Sequence, residues 1–410
     1  MQKPKVRFKG FTDAWEQRKL FDIYASIGNA FVGTATPYYV ESGHFYLESN
    51  NIKDGQINHN SEIFINDEFY EKQKDKWLHT GDMVMVQSGH VGHAAVIPEE
   101  LDNSAAHALI MFRHPKEKIE PYFLNYQYQT NKSKKKIEEI TTGNTIKHIL
   151  ASDMQEFVVD ITNYDEQKKI GSYFQKLDHL ITFHQRKCEQ TKKLKKYMLQ
   201  KMFPKEGQTV PEVRFEGFTD AWEKRKLGDI GSCQSGIGFP DAEQGGTEGI
   251  PFFKVSDMNL NGNEYELVYS NNYVTQEQIE RKKWKPITEV PAIFFAKVGA
   301  AVMLNRKRLV NTPFLLDNNT MAYKFGNDWD TNFGRTLFDT INLASLVQVG
   351  ALPSYNANDV ESIEIALPTI EEQKKIGEYF ANLDHLITLH QRKCDELQNI
   401  KKFMLQNMFI

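Results

Sequence analysis

The chain has 410 residues, 40% of them hydrophobic and 25% charged, a composition typical of folded globular proteins with about two or three domains at this length. It contains only three cysteines and no run of about 18 apolar residues, which argues against a disulfide scaffold and a transmembrane helix and favours a reducing cytoplasm. A net charge of −4 lacks the basic excess typical of nucleic-acid-binding proteins, so such a function would depend on local patches or on partner proteins.

The sequence contains an internal repeat, in which one unit occurs twice. Residues 6–20 read VRFKGFTDAWEQRKL and residues 213–227 read VRFEGFTDAWEKRKL, with 13 identities in 15 positions. Residues 166–203 match residues 372–409 with 26 identities in 38 positions. Between these repeated ends the two halves diverge. The ends are therefore expected to perform the same task twice, and the middles to perform related tasks on different targets.

Each middle is predicted to be a mixed α/β domain, here called a head. Short β-like runs are separated by turns rich in Gly, Asn, Asp and Pro, and they include residues 83–86, 94–97, 293–295 and 301–304. Helical patterns occur near residues 122–130 and 332–347. The two heads share this pattern although few of their residues are identical.

The repeated tails are predicted to be long helices. Seam positions recur in alternating steps of four and three residues from Ile170 to Met202 and again from Ile376 to Met408, and they include Lys195 and Lys401. This spacing, held over about four heptads, indicates a coiled coil. An antiparallel pair is favoured because the chain returns through a globular domain, and two independent helical tails are the alternative.

The predicted fold is therefore α+β, with two mixed α/β heads joined by two long antiparallel spacer helices in an internal pseudo-two-fold repeat. The predicted boundaries are 1–160 for the first head, 161–204 for the first spacer helix, 205–366 for the second head and 367–410 for the second spacer helix.

Several segments resemble the DNA specificity subunits of type I restriction–modification enzymes. Residues 367–376 (LPTIEEQKKI) and 383–387 (LDHLI) are similar to the conserved helical region of that family, as is YDEQKKI at residues 164–170. The Trp-Glu-x-Arg-Lys-Leu openings and Met-Leu-Gln-x-Met-Phe endings are also similar. The resemblance covers the whole chain and implies two target-recognition domains, each of which binds one half of a bipartite, asymmetric DNA site.

The resemblance also implies partners. The subunit would bind double-stranded DNA and recruit two methyltransferase subunits, which hold S-adenosylmethionine, and restriction and motor subunits would complete the complex. No cofactor, catalytic residue, metal or membrane contact is expected in this chain. In agreement, the sequence has no Gly-x-x-x-x-Gly-Lys-Ser/Thr phosphate loop, no Gly-x-Ser-x-Gly elbow and no Asn/Asp-Pro-Pro-Tyr/Phe tetrapeptide.

Two other functions stay open at this point. A stand-alone nuclease or methyltransferase with diverged motifs is disfavoured by the missing motifs. A two-headed protein-binding scaffold is favoured by the acidic balance of both heads, but it does not explain why such different middles are attached to nearly identical ends.

Candidate DNA contacts are cations that could neutralise phosphates and polar loop residues that could hydrogen-bond to bases. In the first half they are Gln87, Ser88, His90, Lys134, Lys135, Lys136, Thr145 and Lys147. In the second half they are Arg281, Lys282, Lys283, Lys297, Arg306, Lys307, Arg308, Ser354 and Tyr355. For each of them the alternative is a solvated charged face or a structural turn.

One metal-site hypothesis concerns the helices. His184 and Cys188 are four residues apart, as are His390 and Cys394, so an antiparallel pair would bring two His and two Cys together. The spacing alone is a weak signal for zinc, and ordinary seam residues are the favoured interpretation.

Overall fold

The computed structural model describes residues 3–143, 147–347 and 352–410, so the candidate Thr145 lies outside the described residues. The chain forms two compact units, Met1–Gln185 with Gln391–Ile410, and Arg186–His390. Each unit contains one head and one part of each long helix. No helix in the described ranges is both long enough and apolar enough to cross a membrane.

The first unit is built mainly on antiparallel strand pairs, although β10 pairs with β4 in parallel. Its strands are β1 (Glu16–Lys19), β2 (Tyr24–Asn29), β3 (Tyr39–Val40), β4 (His44–Leu47), β5 (Ile52–Lys53), β6 (Gln56–Ile57), β7 (Phe64–Ile65), β8 (Met83–Val86), β9 (Ala94–Val96), β10 (Ala105–Ala106), β11 (Leu109–Pro115) and β12 (Val158–Ile161). The helices that begin in it are α1 (Leu20–Ile23), α2 (Asp67–Glu71), α3 (Pro121–Tyr128), α4 (Asn131–Ile140), α5 (Ala151–Glu156) and α6 (Tyr164–Lys201).

One sheet forms the centre of the first head. Its order is β2-β11-β8-β9, and every neighbouring pair is antiparallel. All four residues of β8 are buried, as expected for an apolar strand that is covered on both faces. A second four-stranded sheet has the order β10-β4-β7-β3, and β1 pairs with β12 where the head joins the helix.

The second unit repeats this design. Its strands are β13 (Glu223–Lys226), β14 (Gly231–Ser235), β15 (Ile250–Phe253), β16 (Tyr273–Val274), β17 (Ala292–Ala296), β18 (Lys307–Val310), β19 (Leu315–Leu316), β20 (Thr320–Phe325) and β21 (Glu364–Leu367). The helices that begin in it are α7 (Leu227–Ile230), α8 (Gln276–Lys282), α9 (Thr331–Thr340), α10 (Ala357–Glu361) and α11 (Ile370–Asn407). The sheet order β14-β20-β17-β18 corresponds to β2-β11-β8-β9, and β13 pairs with β21 as β1 pairs with β12.

One β-like run is not a strand. Residues 301–304 lie in a 3₁₀ helix, Ala300–Leu304, which leaves only Val302 of its residues buried. The prediction of a strand from this apolar run was wrong. A short apolar segment has no periodicity that separates a strand from a turn of helix.

The two long helices, α6 and α11, are each 38 residues long. Within the first unit they run antiparallel, because the rings of Phe174 and Phe409 are 5.9 Å apart while Lys401 bonds to Asp178 at 2.6 Å. The second unit has the equivalent contacts, with Phe203 5.9 Å from Phe380 and Lys195 2.8 Å from Asp384. The predicted pair of antiparallel spacer helices is confirmed.

The repeated opening segments bind the starts of the long helices. The Arg7 guanidinium donates to both oxygens of Glu166 at 2.6 and 2.8 Å, and Arg214 donates to Glu372 at 2.7 and 2.8 Å. Both carboxylates are completely buried. A buried bidentate pair of this kind fixes geometry as well as charge, so it holds each opening segment in one position.

A glutamine then connects each long helix to its own head. Gln167 accepts the backbone N–H of Glu120 at 3.0 Å, and Gln373 accepts that of Asp330 at 2.9 Å. A glycine four residues later permits close approach, since a Cβ on Gly377 would lie 2.7 Å from the backbone N of Phe333. The repeated Glu-Gln-Lys-Lys-Ile-Gly motif therefore attaches a head rigidly to a helix.

Candidate nucleic-acid interface

The first head has an edge formed where β8 ends, here called the first edge (residues 87–90 and 147–149). Gly89 donates its N–H to Lys147 O at 3.0 Å, and Ile149 donates to Gln87 O at 2.9 Å. Gly89 has a φ of +80°, a backbone conformation that disfavours side chains. The turn leaves His90 and Lys147 exposed.

A cleft of about 400 Å³ lies beside this edge. Its lining includes His90, Lys134 and Lys147 from the predicted set. It also includes three polar residues that sequence reasoning missed, which are His93, Asn125 and Gln129. The Asn125 side chain is 1% exposed, and its Oδ1 has no hydrogen-bond partner among the described residues. The floor therefore offers an unused acceptor.

His93 is held in one tautomer at the same cleft. Its Nδ1 accepts the backbone N–H of Asp54 at 3.2 Å, so the neutral ring carries its proton on Nε2. Burial lowers the pKa of His93, while Asp54 acts in the opposite direction and Lys134 in the same direction as burial. The ring is therefore neutral at pH 7 and provides one hydrogen-bond donor. The repeated spacing of Gly89-His90 and Gly92-His93 is the sequence signal that could have identified it.

The second head builds the same edge at the end of β17, here called the second edge (residues 297–304 and 352–355). Gly299, with a φ of +84°, donates its N–H to Pro353 O at 2.8 Å, and Tyr355 donates to Lys297 O at 3.3 Å. The side chains of Lys297 and Ser354 are half-buried on this edge. Tyr355 is buried and donates its hydroxyl to Ala296 O, so it supports the edge from inside.

The lysines of α4 have different surroundings. Lys134 and Lys135 are exposed, whereas Lys136 donates to Val158 O at 3.2 Å. Burial lowers the pKa of Lys136. Lys147 lies 3.7 Å from Glu138, with both side chains mostly exposed. Lys134 and Lys147, with His90, are the members of the set that the fold brings together around the cleft, whereas Lys135 is exposed but does not line it.

Two of the cations proposed in the second head are paired at the surface. Arg281 donates to both oxygens of Glu243 at 3.0 and 2.8 Å, and Lys282 lies 3.2 Å from the same carboxylate. Hydrogen bonds from Arg281 above all hold the pKa of Glu243 down at about 2. Lys283 directly follows α8 and is exposed.

Three further cations follow the second edge along the chain. Lys307 is 9% exposed, and its ammonium donates to Asn305 Oδ1 at 2.9 Å. Arg308 donates to three backbone carbonyls, and Arg306 donates to Asn259. The ammonium of Lys307 and the guanidinium of Arg308 bond to groups of their own head, so we do not propose either as a DNA contact.

The helix residues considered for zinc are divided between the two units, with His184 and Cys394 in the first and Cys188 and His390 in the second. Within the ranges that the structure describes, no group of three or more His, Cys, Asp or Glu side chains could hold a metal ion. Cys188 and Cys394 are each 4% exposed, and the Cys188 thiol lies 3.8 Å from Ile387 O. Both cysteines pack as small seam residues.

The comparisons with known proteins agree with one another. The family model described as "Type I restriction modification DNA specificity domain" matches residues 12–193 and again residues 219–399. The MjaX type I restriction enzyme specificity subunit of Methanocaldococcus jannaschii is 25% identical over 97% of this chain and 93% of its own length. The MjaVIII specificity subunit of the same organism is 24% identical over 64% of this chain and 63% of its own.

Solved structures share the fold. The type I restriction–modification S subunit from M. genitalium superposes with a TM-score of 0.67 at 15% identity, over 100% of this chain and 99% of the other. A chain from a study of complex assembly and conformational transition of the type I system gives a TM-score of 0.50 at 14% identity, over 96% and 97% of the two chains. With two matched copies of the family model covering most of its length, the chain belongs to the type I restriction–modification DNA specificity family, whose members are non-catalytic DNA-recognition subunits.

Proposed function

We propose that this chain reads a bipartite, asymmetric DNA sequence with one head per half-site and brings methyltransferase subunits to it. The observation that carries the proposal is the pair of edges. Both are built by a glycine N–H bonded to a carbonyl of a second segment, yet their exposed side chains differ. Two different half-sites require the same backbone arrangement to present different side chains, and the two edges have this property.

Around the first edge, His90, Lys134 and Lys147 would contact the DNA. The exposed lysines would contact phosphates and position the head, while His90 and the polar floor of the cleft would face base edges. Gln87 and Ser88 form the turn that presents His90, and Lys135 extends the cationic face. In the second head, Lys297, Ser354 and the exposed Lys283 take the equivalent roles.

The long helices carry a repeated surface for the partner. Leu180, Ile400 and Phe403 are 43%, 44% and 59% exposed in the first unit. Their counterparts at an offset of 206, listed in the same order, are Leu386, Leu194 and Tyr197, which are 41%, 43% and 54% exposed in the second unit. Large exposed apolar side chains on a helix indicate an interaction surface. Two copies of one surface fit two copies of one methyltransferase subunit.

The partner would supply the chemistry. S-adenosylmethionine would be bound by the methyltransferase subunits, restriction and motor subunits would complete the complex, and the cytoplasm is where it would act. The acidic balance of this chain does not oppose DNA binding, because partner subunits can complete a cationic channel around the duplex.

A reconstitution assay tests the proposal. Purified chain with S-adenosylmethionine and a random-sequence plasmid library should leave the DNA unmodified, and addition of the methyltransferase subunit should give methylation at one bipartite sequence. The double variant Ile400→Asp/Phe403→Asp should bind one methyltransferase subunit where the native chain binds two. Methylation by the chain alone, or methylation without a common sequence, would refute the proposal.

A further inference from the structure

The second edge exposes a group of large aliphatic side chains. Met303, Leu304 and Leu352 are each 59% exposed. Two of them lie on the 3₁₀ helix Ala300–Leu304, and the third directly precedes Pro353. The hydrogen bond from Gly299 N–H to Pro353 O, together with a β-bridge between Val298 and Ser354, holds these two segments next to each other. The three exposed side chains therefore lie on the two neighbouring segments that form this edge.

The corresponding edge of the first head carries exposed polar side chains, and an exposed apolar side chain, Leu150, lies one residue beyond it. After Gly89, which occupies the position of Gly299, the chain continues with His90, and the segment bonded to it carries Lys147. The two heads thus present opposite chemistry on the same backbone frame. An exposed histidine can donate or accept a strong hydrogen bond, whereas leucine has no hydrogen-bonding group in its side chain and methionine has only a weakly accepting thioether sulfur.

The chemistry of base edges limits what an apolar edge can recognise. In the major groove the bases present hydrogen-bond donors and acceptors, and the one apolar group among them is the 5-methyl of thymine. We propose that Met303 and Leu304, supported by Leu352, recognise thymine methyl groups in the half-site of the second head. This inference rests on the proposed function and assigns to it a mode of base recognition that the first head does not use.

A protein partner is the other possible occupant of an apolar surface. DNA is favoured because the surface occupies the position of the first edge, where exposed cations surround a polar cleft. Lys297 precedes the 3₁₀ helix and Arg306 follows it, so cations also flank the second edge along the chain. The long helices already carry a separate apolar surface that is repeated in both units, as a shared partner requires. Counted from the edge glycine, the first head has His93 where the second head has Met303, and the counterpart of Leu352 is Ile146, which lies outside the described residues.

Selection from two duplex libraries tests the proposal. The full chain with its methyltransferase subunit is allowed to bind random-sequence duplexes that contain thymine, or identical libraries in which deoxyuridine replaces every thymine. Deoxyuridine keeps all the hydrogen-bonding groups of thymine and removes only the methyl. We expect the preference at one or two A·T positions of one half-site to fall about fourfold per lost methyl, with the other half-site unchanged.

The double variant Met303→Ala/Leu304→Ala should weaken the same positions in the thymine library and make binding insensitive to deoxyuridine. Val210→Ala, which truncates an exposed side chain on the segment after α6, is the matched control and should leave both half-sites unchanged.

Each outcome has one meaning. Equal selection from both libraries by the native protein would overturn the inference and leave the proposed function intact, and this comparison does not require a folded variant. The inference would also be overturned if deoxyuridine weakened the preference in one half-site while the double variant changed only the other half-site. Normal site selection by the double variant with loss of methyltransferase binding would assign the surface to the protein partner. If neither library yields a selected sequence, that result contradicts the proposed function itself, and this inference with it.

Discussion

The ammonium group of Lys307 lies in the interior of the second head, where it donates to Asn305 Oδ1 and to the carbonyl of Ile341. Burial lowers the pKa of Lys307 from its ordinary value of 10.5 to about 8, although Asp339 acts in the opposite direction. The folded protein therefore releases this proton at a lower pH than the unfolded chain does.

This difference predicts how stability depends on pH. Between about pH 8 and pH 10.5 the unfolded state binds more protons at Lys307, so the free energy of unfolding should rise with pH across this window. The rise attributable to this group is about 3 kcal/mol. Urea denaturation of the native protein and of Lys307→Met at pH 7.5 and pH 10.5 measures it, because Met has no proton to lose. An equal change in the free energy of unfolding of both proteins would show that burial does not disfavour the charged form of Lys307.

Lys307 also marks the limit of what could be predicted about the site. A run of three cations after an apolar segment, residues 306–308, resembles a phosphate-binding patch in the sequence. Its bonding partners include Ile341 and Asn263, which are far away along the chain, and nothing local in the sequence indicates them. The same holds for Arg281, whose partner Glu243 is 38 positions away. Exposed cations on one helix, such as Lys134 and Lys135, were predictable because no tertiary contact overrides their position.

At the scale of the elements, each long helix contributes one buried carboxylate and one lysine to the seam. In the first unit Asp178 bonds to Lys401 at 2.6 Å and accepts the Tyr126 hydroxyl at 2.8 Å. In the second unit Asp384 bonds to Lys195 at 2.8 Å and also accepts from Arg335. The heptad pattern predicted the seam, but it could not explain the two lysines within it, because their partners are on the facing helix.

These pairs predict an unequal response to the same substitution. Lys401→Met should destabilise the protein by about 3–5 kcal/mol, which is the usual cost of removing one member of a buried ion pair and leaving the other charge without its partner. The matched variant Lys195→Met should cost less, because Asp384 keeps Arg335, and Asp339, the other partner of Lys195, also lies 4.0 Å from Arg335. Chemical denaturation of both variants measures the difference, and Asp178→Leu combined with Lys401→Met should recover part of the loss. A larger loss for Lys195→Met would contradict this account of the two seams.

At the scale of the whole molecule, the heads are inserts between repeated ends. Lys19 pairs with Val158 and Lys226 pairs with Glu364, so residues 20–157 and residues 227–363 are bounded by equivalent strand pairs. The repeat itself was fully predictable, because the ends are nearly identical in sequence. The opposite chemistry of the two edges was not, because it depends on which residues of the divergent middles become exposed.

A chimera tests whether the heads are independent readers. Replacing residues 20–157 with a second copy of residues 227–363 should give a protein that selects the same bases in both half-sites. The repeated ends are unchanged in the chimera, so binding of two methyltransferase subunits should persist and serves as the folding control. Selection from random duplexes measures the outcome, and retention of the original asymmetric sequence would contradict independent reading.

One repeated hydrogen bond has a consequence for how the chain is connected. Val213 donates its N–H to Lys201 O at 2.9 Å across the connecting segment 202–212, and Val6 donates in the same way to Asn407 O at 2.9 Å without any such connection. Val6 therefore lies as close to the end of α11 as Val213 lies to the end of α6, although only Val213 is joined to its helix by a short connecting segment. The order of the two halves along the polypeptide is therefore arbitrary for the fold. A circular permutant, opened within 202–212 and joined between residues 410 and 3 by a copy of that segment, would preserve both hydrogen bonds.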